Sequence, residues 1–354
     1  MKKAIIAAYA EIILAAGATF ALVLSCSDSE RAELSYSLDS FAKGSMEKVD
    51  EFDCEPCGIL NPSVVRYHPS GNIILLERGV KSQLKVVDLS EKTAEGILPR
   101  GRGPGEAVTP WDLSVDTDGT LWVSDVSTQK LVSFSMGDDG SFRFVGERKL
   151  KSQVMRAIPF KNKNTLILSS SSSGNRMCLL DAAGTVVDTV GTFPYSDVLD
   201  RSVLRNSVFQ SDISVAHDGE VIVCCKSFNI IDVYDPEMSE CRRLVGPEPI
   251  DVGVVVRETP IGVMYVQKPF VKVFDGVAAG RGEFMVGYVG AYAEGAPETS
   301  DGAVKLLLFD IEGRPSMLFE TPRPFRSFDV DWKNRKVYIL TSGESSRVEV
   351  YSFV

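Results

Sequence analysis

Short alternating strands separated by tight turns recur along most of the chain. The segments 64–77 (VVRYHPSGNIILLE), 112–125 (DLSVDTDGTLWVSD) and 212–225 (DISVAHDGEVIVCC) each place a glycine-containing turn between two apolar runs. Valine, isoleucine and aromatic residues favour pleated, half-buried positions, and Asp-Gly or Ser-Gly supplies the turn of a β-hairpin. Weaker versions of the pattern occur at 155–170, 270–290 and 328–342. The pattern therefore predicts six β-hairpins.

Each hairpin is followed by a polar stretch and a third apolar strand, and several units add a fourth. Six four-stranded units that repeat every ~45 to 60 residues are typical of a β-propeller. The last unit ends at Val354 after its third strand, whereas β-prone segments at 33–38 and 46–52 precede the first hairpin. We therefore predict an all-β fold: a six-bladed β-propeller of four-stranded antiparallel blades, closed by an N-terminal strand that covers an open edge.

The N-terminus has the pattern of a secretory signal. Lys2 and Lys3 precede an uncharged stretch, Ile12–Ser25, which is shorter than the roughly 20 apolar residues that span a bilayer. Cys26 follows directly, in the sequence Val-Leu-Ser-Cys. We interpret residues 1–25 as a lipoprotein signal peptide, 26–32 as a lipidated tether and 33–354 as the propeller domain. A plain signal peptide with a coincidental cysteine is the alternative.

The net charge of the chain excludes some classes of binding partner. The formal net charge is −10, and removal of residues 1–25, which hold two lysines and one glutamate, makes it −11. An acidic chain of this kind is unsuited to nucleic acid and to adsorption on an anionic membrane surface. We expect membrane attachment only through the N-terminal anchor.

The sequence resembles the six-bladed TolB-like/NHL-like propeller lipoproteins of Bacteroidetes. Three features carry the resemblance: the six hairpins, the Val-Leu-Ser-Cys segment that ends at Cys26, and Gly-Arg-Gly-Pro-Gly-Glu at 101–106. The resemblance implies a cell-envelope protein, anchored by lipid to the outer membrane and displayed at the cell surface. It implies a role in protein interaction or glycan handling, and it is specific for fold rather than for activity.

The arginine-rich loop at 99–107 (PRGRGPGEA) connects the predicted first and second blades. It lacks the Lys-Ser/Thr and the following helix of a phosphate-binding loop, so we interpret Gly101, Gly103 and Gly105 as residues that allow a sharp turn. We expect Arg102 to pair with Glu106. The alternative is that Arg100 and Arg102 reach the channel mouth and bind an anionic ligand.

Further ligand candidates lie on connections at the same face, because loops on a rigid scaffold usually carry function. The connection 193–211 supplies aromatic and basic residues, the connection 321–327 supplies two arginines, and a tryptophan begins an inner strand. These candidates are Tyr195, Arg201, Arg205, Arg323, Arg326 and Trp111. Solvated loops or packing between blades are the alternative roles.

The histidines and cysteines of the chain are poor candidates for catalytic residues. His68 and His217 occupy equivalent hairpin turns, so no histidine remains for a Ser-His-Asp triad. Cys54 and Cys57 have the spacing of a redox motif, but their surroundings do not resemble a strand-helix-strand unit; a local disulfide or two free thiols are the alternatives. We predict no cofactor and no metal site, although calcium at an Asp-x-Asp-Gly turn is left open.

The sequence therefore predicts a lipid-anchored envelope protein that acts as a binding or interaction module without catalysis. Its partner would be an envelope protein, a glycan or another small ligand at the channel mouth. The alternative is a propeller lyase or hydrolase with arginine, tyrosine and carboxylates in the channel. A third alternative is a structural partner of a larger outer-membrane complex, which would expose an apolar patch.

Overall fold

A computed structural model of the chain describes residues 32–151, 156–161, 164–168, 175–193, 209–249, 254–259, 262–267, 272–290, 303–341 and 345–354. These residues form short strands and two three-residue 3-10 turns, Leu38–Ser40 and Glu55–Cys57. In this part of the chain, no helix is long and apolar enough to cross a membrane. The signal segment and Cys26 lie outside the described residues.

The strands in chain order are β1 (Ala32–Ser35), β2 (Ala42–Lys43), β3 (Met46–Asp53), β4 (Pro62–Tyr67), β5 (Ile73–Glu77), β6 (Leu84–Asp88), β7 (Thr93–Gly96), β8 (Pro110–Val115), β9 (Leu121–Asp125), β10 (Lys130–Met136), β11 (Phe142–Lys149), β12 (Ala157–Phe160), β13 (Asn164–Leu168), β14 (Asn175–Leu180), β15 (Val186–Thr192), β16 (Ser211–Val215), β17 (Val221–Cys225), β18 (Ile230–Tyr234), β19 (Cys241–Val245), β20 (Val254–Thr259), β21 (Gly262–Gln267), β22 (Phe274–Ala279), β23 (Glu283–Tyr288), β24 (Ala303–Asp310), β25 (Pro315–Asp331), β26 (Lys336–Thr341) and β27 (Arg347–Phe353).

Consecutive strands pair into antiparallel blades, as the hairpin pattern predicts. Blade 1 is β4 to β7, blade 2 is β8 to β11, blade 3 is β12 to β15, and blade 4 is β16 to β19. First strands of the blades lie innermost: β4 contacts β8 and β25, and β22 contacts β16 and β25. The fold is therefore an all-β propeller with four-stranded antiparallel blades around a central channel.

An eight-stranded sheet follows blade 4. Its order is β22-β23-β24-β25-β26-β27-β3, and β2 pairs in parallel with β25. The strand at its end, β3, is antiparallel to β27, with Phe52 opposite Val348. One of the two N-terminal segments offered by the sequence, 46–52, therefore covers the edge left by the last strand of the chain.

Three features depart from the sequence-based expectation. The connection 321–327 is not a loop, because it lies within β25, which runs unbroken from Pro315 to Asp331. The region 247–303 contains, besides the hairpin predicted at 270–290, the hairpin of β20 and β21. The other N-terminal segment forms β1, which lies parallel to β19 at the outer edge of blade 4.

Apolar side chains from neighbouring blades pack together and form the core. Leu76 of blade 1 and Leu113 of blade 2 belong to one buried cluster, and Ile158 of blade 3 and Val223 of blade 4 belong to another. All residues of β5 and β17 are buried, because these second strands are covered on both faces. Burying this apolar surface between blades holds the inner strands, and their polar side chains, in fixed positions.

Candidate binding site in the central channel

Acidic side chains occupy equivalent positions on two innermost strands. Asp112 of β8 pairs with Ser124, and Asp212 of β16 pairs with Cys224. Each partner is the penultimate residue of the second strand in its blade, so the two aspartates have the same register. A carboxylate buried beside the channel needs cationic or hydrogen-bonding partners. The structure supplies these partners from neighbouring blades.

Seven charged side chains form a continuous series of ion pairs along the inner strands and the ends of their neighbours. In spatial order this ion-pair series is Arg66, Asp112, Arg156, Asp212, Lys226, Asp275 and Lys272. Cations and acids alternate, and a cation stands at each end. The series extends from blade 1 through blades 2, 3 and 4 to the eight-stranded sheet.

Arginines carry the series from blade 1 to blade 4. Arg66 Nη2 lies 3.7 Å from Asp112 Oδ1, and its Nε donates a hydrogen bond to the carbonyl oxygen of Leu113 at 3.0 Å. Arg156 Nη1 lies 3.0 Å from Asp112 Oδ2, and its Nη2 pairs with Asp212 Oδ1. Arg156 therefore bridges the aspartates of blades 2 and 4.

Lysines carry the series onward into the eight-stranded sheet. Lys226 Nζ lies 3.1 Å from Asp212 Oδ2 and 2.7 Å from Asp275 Oδ1, and Lys272 Nζ bonds to the other oxygen of Asp275. The backbone N–H of Gly276 also donates to Asp212 Oδ2 at 2.7 Å. Each of the three acids is thus shared by two cations.

The cations of the series are more exposed than the acids. The side chains of Asp112 and Asp212 are 5% exposed and that of Asp275 is 10% exposed. Those of Arg66, Arg156, Lys226 and Lys272 are 20, 19, 22 and 24% exposed. Because the acids lie deeper, the surface that the series presents to solvent is mainly cationic.

The pKa values of Asp212 and Arg156 are shifted in the directions that favour their charged forms. Burial opposes the charge of Asp212, but Arg156 and Lys226 outweigh it and hold the pKa of this carboxyl well below its usual range. Burial likewise opposes the charge of Arg156, but Asp112 and then Asp212 raise its pKa. A carboxylate and a guanidinium stabilised in this way hold their charges through the neutral range.

A stacked arginine and tryptophan lie beside the series. The guanidinium carbon of Arg78 is 4.3 Å from the centre of the Trp111 ring, and Arg78 Nη2 donates to the Trp111 carbonyl at 3.2 Å. Burial, and then repulsion by Arg156, lowers the pKa of Arg78. The two guanidiniums therefore act on each other, and Arg78 adds a further exposed cation next to an aromatic ring.

Asp329 adds a carboxyl from β25 beside Arg66. Its Oδ2 accepts a hydrogen bond from the backbone N–H of Tyr67 at 2.8 Å. Burial raises the pKa of Asp329, and the charge of Arg66 offsets this rise only in part. This carboxyl is therefore less fully stabilised as an anion than Asp212.

The predicted loop arginines are not members of the ion-pair series. Arg100 is exposed, and its Nη1 donates to the Gly79 carbonyl at 3.4 Å. Arg102 lines a cleft of about 410 Å³, shared with Lys130, Glu147 and Lys149 at the edge of blade 2. The predicted channel residue Trp111 is half-buried and stacks with Arg78.

The glycines of this loop have two different roles. Gly105 has φ +71°, the left-handed region that favours glycine, as predicted. Gly101 is instead required by a close approach, because a Cβ there would lie 2.0 Å from Glu106 Oε2. That carboxylate, which we expected to pair with Arg102, accepts a hydrogen bond from the Gly103 N–H at 2.7 Å.

The remaining predicted residues are dispersed. Arg323 and Arg326 lie within β25; Arg323 Nη2 is 3.6 Å from Glu349 Oε1, and Arg326 Nη1 donates to Asn61 Oδ1 at 2.6 Å. Tyr195, Arg201 and Arg205 lie outside the described residues. Among the predicted ligand candidates that the structure describes, Trp111 is linked to the series: it stacks with Arg78, which is repelled by Arg156.

Both histidines sit in hairpin turns and contact the next blade. His68 Nδ1 accepts a hydrogen bond from the Ser70 N–H, and Nε2 lies 2.8 Å from the Gly119 carbonyl. His217 Nδ1 lies 3.0 Å from Arg281 Nη2. The six cysteines from Cys54 onward are free thiols, and no metal-binding group of histidine, cysteine or carboxylate side chains occurs in the described residues.

Sequence reasoning missed the ion-pair series, although part of its signal was present. The two clearest repeats, 112–125 and 212–225, both begin with the aspartate that joins the series. An acid repeated at the start of an apolar inner strand indicates a channel position. The partners Arg66 and Arg156 carry no such local signal, because ion pairing joins them to aspartates in other blades. Lys226 connects Asp212 of its own blade to Asp275 of the eight-stranded sheet.

Solved structures with the same architecture share little sequence identity with this chain. A member of the DUF4221 family from Bacteroides vulgatus has a TM-score of 0.59 at 10% identity and covers 88% of this chain and 98% of its own. A protein of Bacteroides fragilis described as exported has a TM-score of 0.56 at 12% identity and covers 91% and 99%. Virginiamycin B lyase from Staphylococcus aureus has a TM-score of 0.49 at 11% identity and covers 88% and 100%.

No protein of curated function matches the chain. One family model does match, over residues 88–347, from the third strand of blade 1 to the start of β27, and it is described as TolB-like 6-blade propeller-like. The match covers most of the propeller and all of the ion-pair series except Arg66. The chain therefore belongs to the TolB-like family of propellers.

Proposed function

We propose that this protein is an envelope binding module whose propeller recognises an anionic group at the channel mouth. The observation that carries the proposal is the ion-pair series, in which acids are buried and cations retain exposed atoms. Arg78 and Trp111 extend the same surface with a further cation and an aromatic ring. Carboxylate, phosphate or sulfate groups are the ligands that such donors recognise best.

The proposed activity is recognition without covalent chemistry. A general acid or base needs a pKa near the working pH, whereas the pKa of Asp212 is held low by two cations. Both histidines lie in hairpin turns and contact the next blade. These features favour a preorganised binding surface over a lyase or hydrolase that uses Asp212 or a histidine as its acid or base.

We further propose that the ring has six blades. The eight-stranded sheet divides within β25 into two sets of four strands, β22 to the first part of β25 and the last part of β25 to β3. With blades 1 to 4 this division makes six, which agrees with the description of the family. The ion-pair series and Asp329 then draw on the inner strands of all six blades.

We also propose export and lipid attachment at Cys26 to the outer membrane, with display at the cell surface. The support is the basic start at Lys2 and Lys3, the uncharged stretch Ile12–Ser25 and the cysteine that follows. A Bacteroides fragilis propeller of similar fold is described as exported. Metabolic labelling with a fatty acid tests this: the wild-type protein should take up label, and Cys26→Ala should not.

Calorimetric titration of the purified protein tests the ligand proposal. The probes are a uronic-acid oligosaccharide, a sulfated oligosaccharide, inorganic phosphate and a neutral oligosaccharide of equal length. We expect an anionic probe to bind, and the neutral probe to bind at least tenfold more weakly. Lys226→Gln should weaken binding at least tenfold, whereas Arg143→Gln, in an exposed pair with Asp139, should not.

Two outcomes would overturn the proposal. Equal affinity for neutral and anionic probes, or unchanged affinity in Lys226→Gln, would remove the ion-pair series from recognition. Chromatography of each probe after incubation detects the alternative, because a cleaved product would indicate an enzyme instead of a binding module.

A further inference from the structure

Two cysteines lie where the N-terminal strand of the sheet leads into blade 1. Cys54 follows β3 directly, and Cys57 ends the 3-10 turn Glu55–Cys57. The Cys54 N–H donates to the Ser346 carbonyl at 3.1 Å, which ties the turn to the segment before β27. This turn therefore joins the first described blade to the last strands of the chain.

The backbone holds the two cysteines at a distance that a disulfide can span. The Cys57 N–H donates to the Cys54 carbonyl at 3.1 Å, which closes a four-residue turn. Such turns bring their first and last Cα atoms within about 7 Å. Disulfides bridge Cα atoms that are usually about 4.4 to 6.8 Å apart. The turn therefore requires little backbone movement for the two sulfurs to bond.

The two thiols differ in access. Cys54 is fully buried in a cluster with Phe52, Ile59 and Val348. Cys57 is partly exposed, and its Sγ lies 3.6 Å from the Lys92 carbonyl oxygen. Burial, and then the nearby Asp53, raises the pKa of Cys54 to about 12. An external reagent therefore meets Cys57 first.

We propose that Cys54 and Cys57 are a redox-modification site that an oxidant carrying a disulfide converts into an intrachain disulfide. The Cys57 thiolate attacks one sulfur of the oxidant, forms a mixed disulfide and releases one thiol. The Cys54 sulfur then attacks the Cys57 sulfur and displaces the second half of the oxidant as a thiolate, which takes the Cys54 proton. Two protein thiols are oxidised, and the oxidant's disulfide is reduced to two thiols.

The bond fixes the exit of β3 from the sheet. Because it closes a very short loop, its effect on the entropy of the unfolded chain is small. Its main effect is on the turn, which it holds in the conformation that connects β3 to β4. The chemistry is independent of the proposed ligand; only the supply of oxidant in the cell rests on the proposed export.

Peptide mapping tests the proposal directly. The purified protein is incubated under native conditions with oxidised glutathione, denatured, alkylated and digested with trypsin. Both cysteines fall in one tryptic peptide, residues 49–66. We expect this peptide to carry no alkyl group and to be lighter than its reduced form by two hydrogen atoms. After reduction it should carry two alkyl groups.

Two variants test the order of the steps. Cys54→Ala should trap glutathione on Cys57, because the displacing sulfur is absent. Cys57→Ser should leave Cys54 buried and free, with one alkyl group after denaturation. Wild-type protein that carries two alkyl groups without reduction would overturn the disulfide. Glutathione on Cys54 in Cys57→Ser, but none on Cys57 in Cys54→Ala, would overturn entry through Cys57.

Discussion

The guanidinium of Arg156 reaches from blade 3 to the carboxylate of Asp112 in blade 2, with Nη1 3.0 Å from Oδ2. The same side chain pairs with Asp212 of blade 4. Substitution of Arg156 by methionine would leave two buried carboxylates without their shared partner. We expect the free energy of unfolding to fall by about 3 to 5 kcal/mol, as measured by urea denaturation.

The exposed ion pair of Arg143 and Asp139 provides the control for this variant. Its side chains are 67 and 53% exposed. Arg143→Met should change the free energy of unfolding by less than about 1 kcal/mol, because exposed pairs contribute little. Equal effects of the two substitutions would contradict a structural role for the ion-pair series.

Asp329 should make the protein less stable at neutral pH than at acid pH. Burial raises its folded-state pKa above the unfolded value, so the folded protein binds more protons in the window between the two. Stability from this group therefore falls as the pH rises through that window. Asp329→Asn removes this charge and can still accept from the Tyr67 N–H. We expect a higher Tm than wild type at pH 7 and a smaller difference near pH 4.

Asp139→Asn should change the Tm at pH 7 in the opposite direction to Asp329→Asn. Hydrogen bonds from Ser141, and then Arg143, lower the pKa of this exposed carboxyl in the folded state. Its contribution is present above the unfolded pKa and is lost as the pH falls, so the variant should be less stable than wild type at pH 7.

A lower Tm for Asp329→Asn than for wild type at pH 7 would contradict the first of these two predictions, because it would show that the Asp329 charge is stabilising.

The loop 99–107 allows the two roles of glycine to be separated. Gly101→Ala would place a Cβ against Glu106 Oε2, whereas Gly105→Ala would be strained by its φ of +71°. A second substitution, Glu106→Ala, should restore the stability lost in Gly101→Ala but not the stability lost in Gly105→Ala. In a double-mutant cycle we expect a coupling of about 1 kcal/mol for Gly101 with Glu106. No coupling would contradict the close-approach role.

The strand β3 should contribute to stability through its buried face. Phe52 is 2% exposed, whereas Val49 on the same strand is 46% exposed. Phe52→Ala should lower the free energy of unfolding by about 3 to 5 kcal/mol. Val49→Ala should change it by less than about 0.5 kcal/mol. Chemical denaturation of both variants measures the difference, and a small effect of Phe52→Ala would mean that β3 is dispensable.

Local sequence patterns predicted the parts of the fold that local chemistry controls. The hairpins at 64–77, 112–125 and 212–225 were visible because turn residues separate two apolar runs. The pairing of β1 with β19 was not predictable in this way, because a parallel pair has no connecting turn. The continuity of β25 was missed because 321–327 was interpreted as a connection between blades; Pro322 and Pro324 lie within the strand.

The candidate site was less predictable than the fold. Long-range packing selects which charges meet: Arg66 and Asp112 are neighbours only because blades 1 and 2 pack side by side. Loop arginines such as Arg100 were more conspicuous in the sequence, but they remain exposed. Half-buried charges on apolar strands are therefore better indicators of a channel site than charge-rich loops.

The unbroken strand β25 has a mechanical consequence for the ring. Neighbouring blades 1 to 4 are separate sheets that meet through side chains, so their boundaries can separate without loss of a backbone ladder. The two halves of the eight-stranded sheet share one strand, and a hinge between them would have to break its hydrogen bonds to β24 or β26. We therefore expect any opening of the propeller at the other boundaries, which Arg156 and Lys226 bridge with ion pairs.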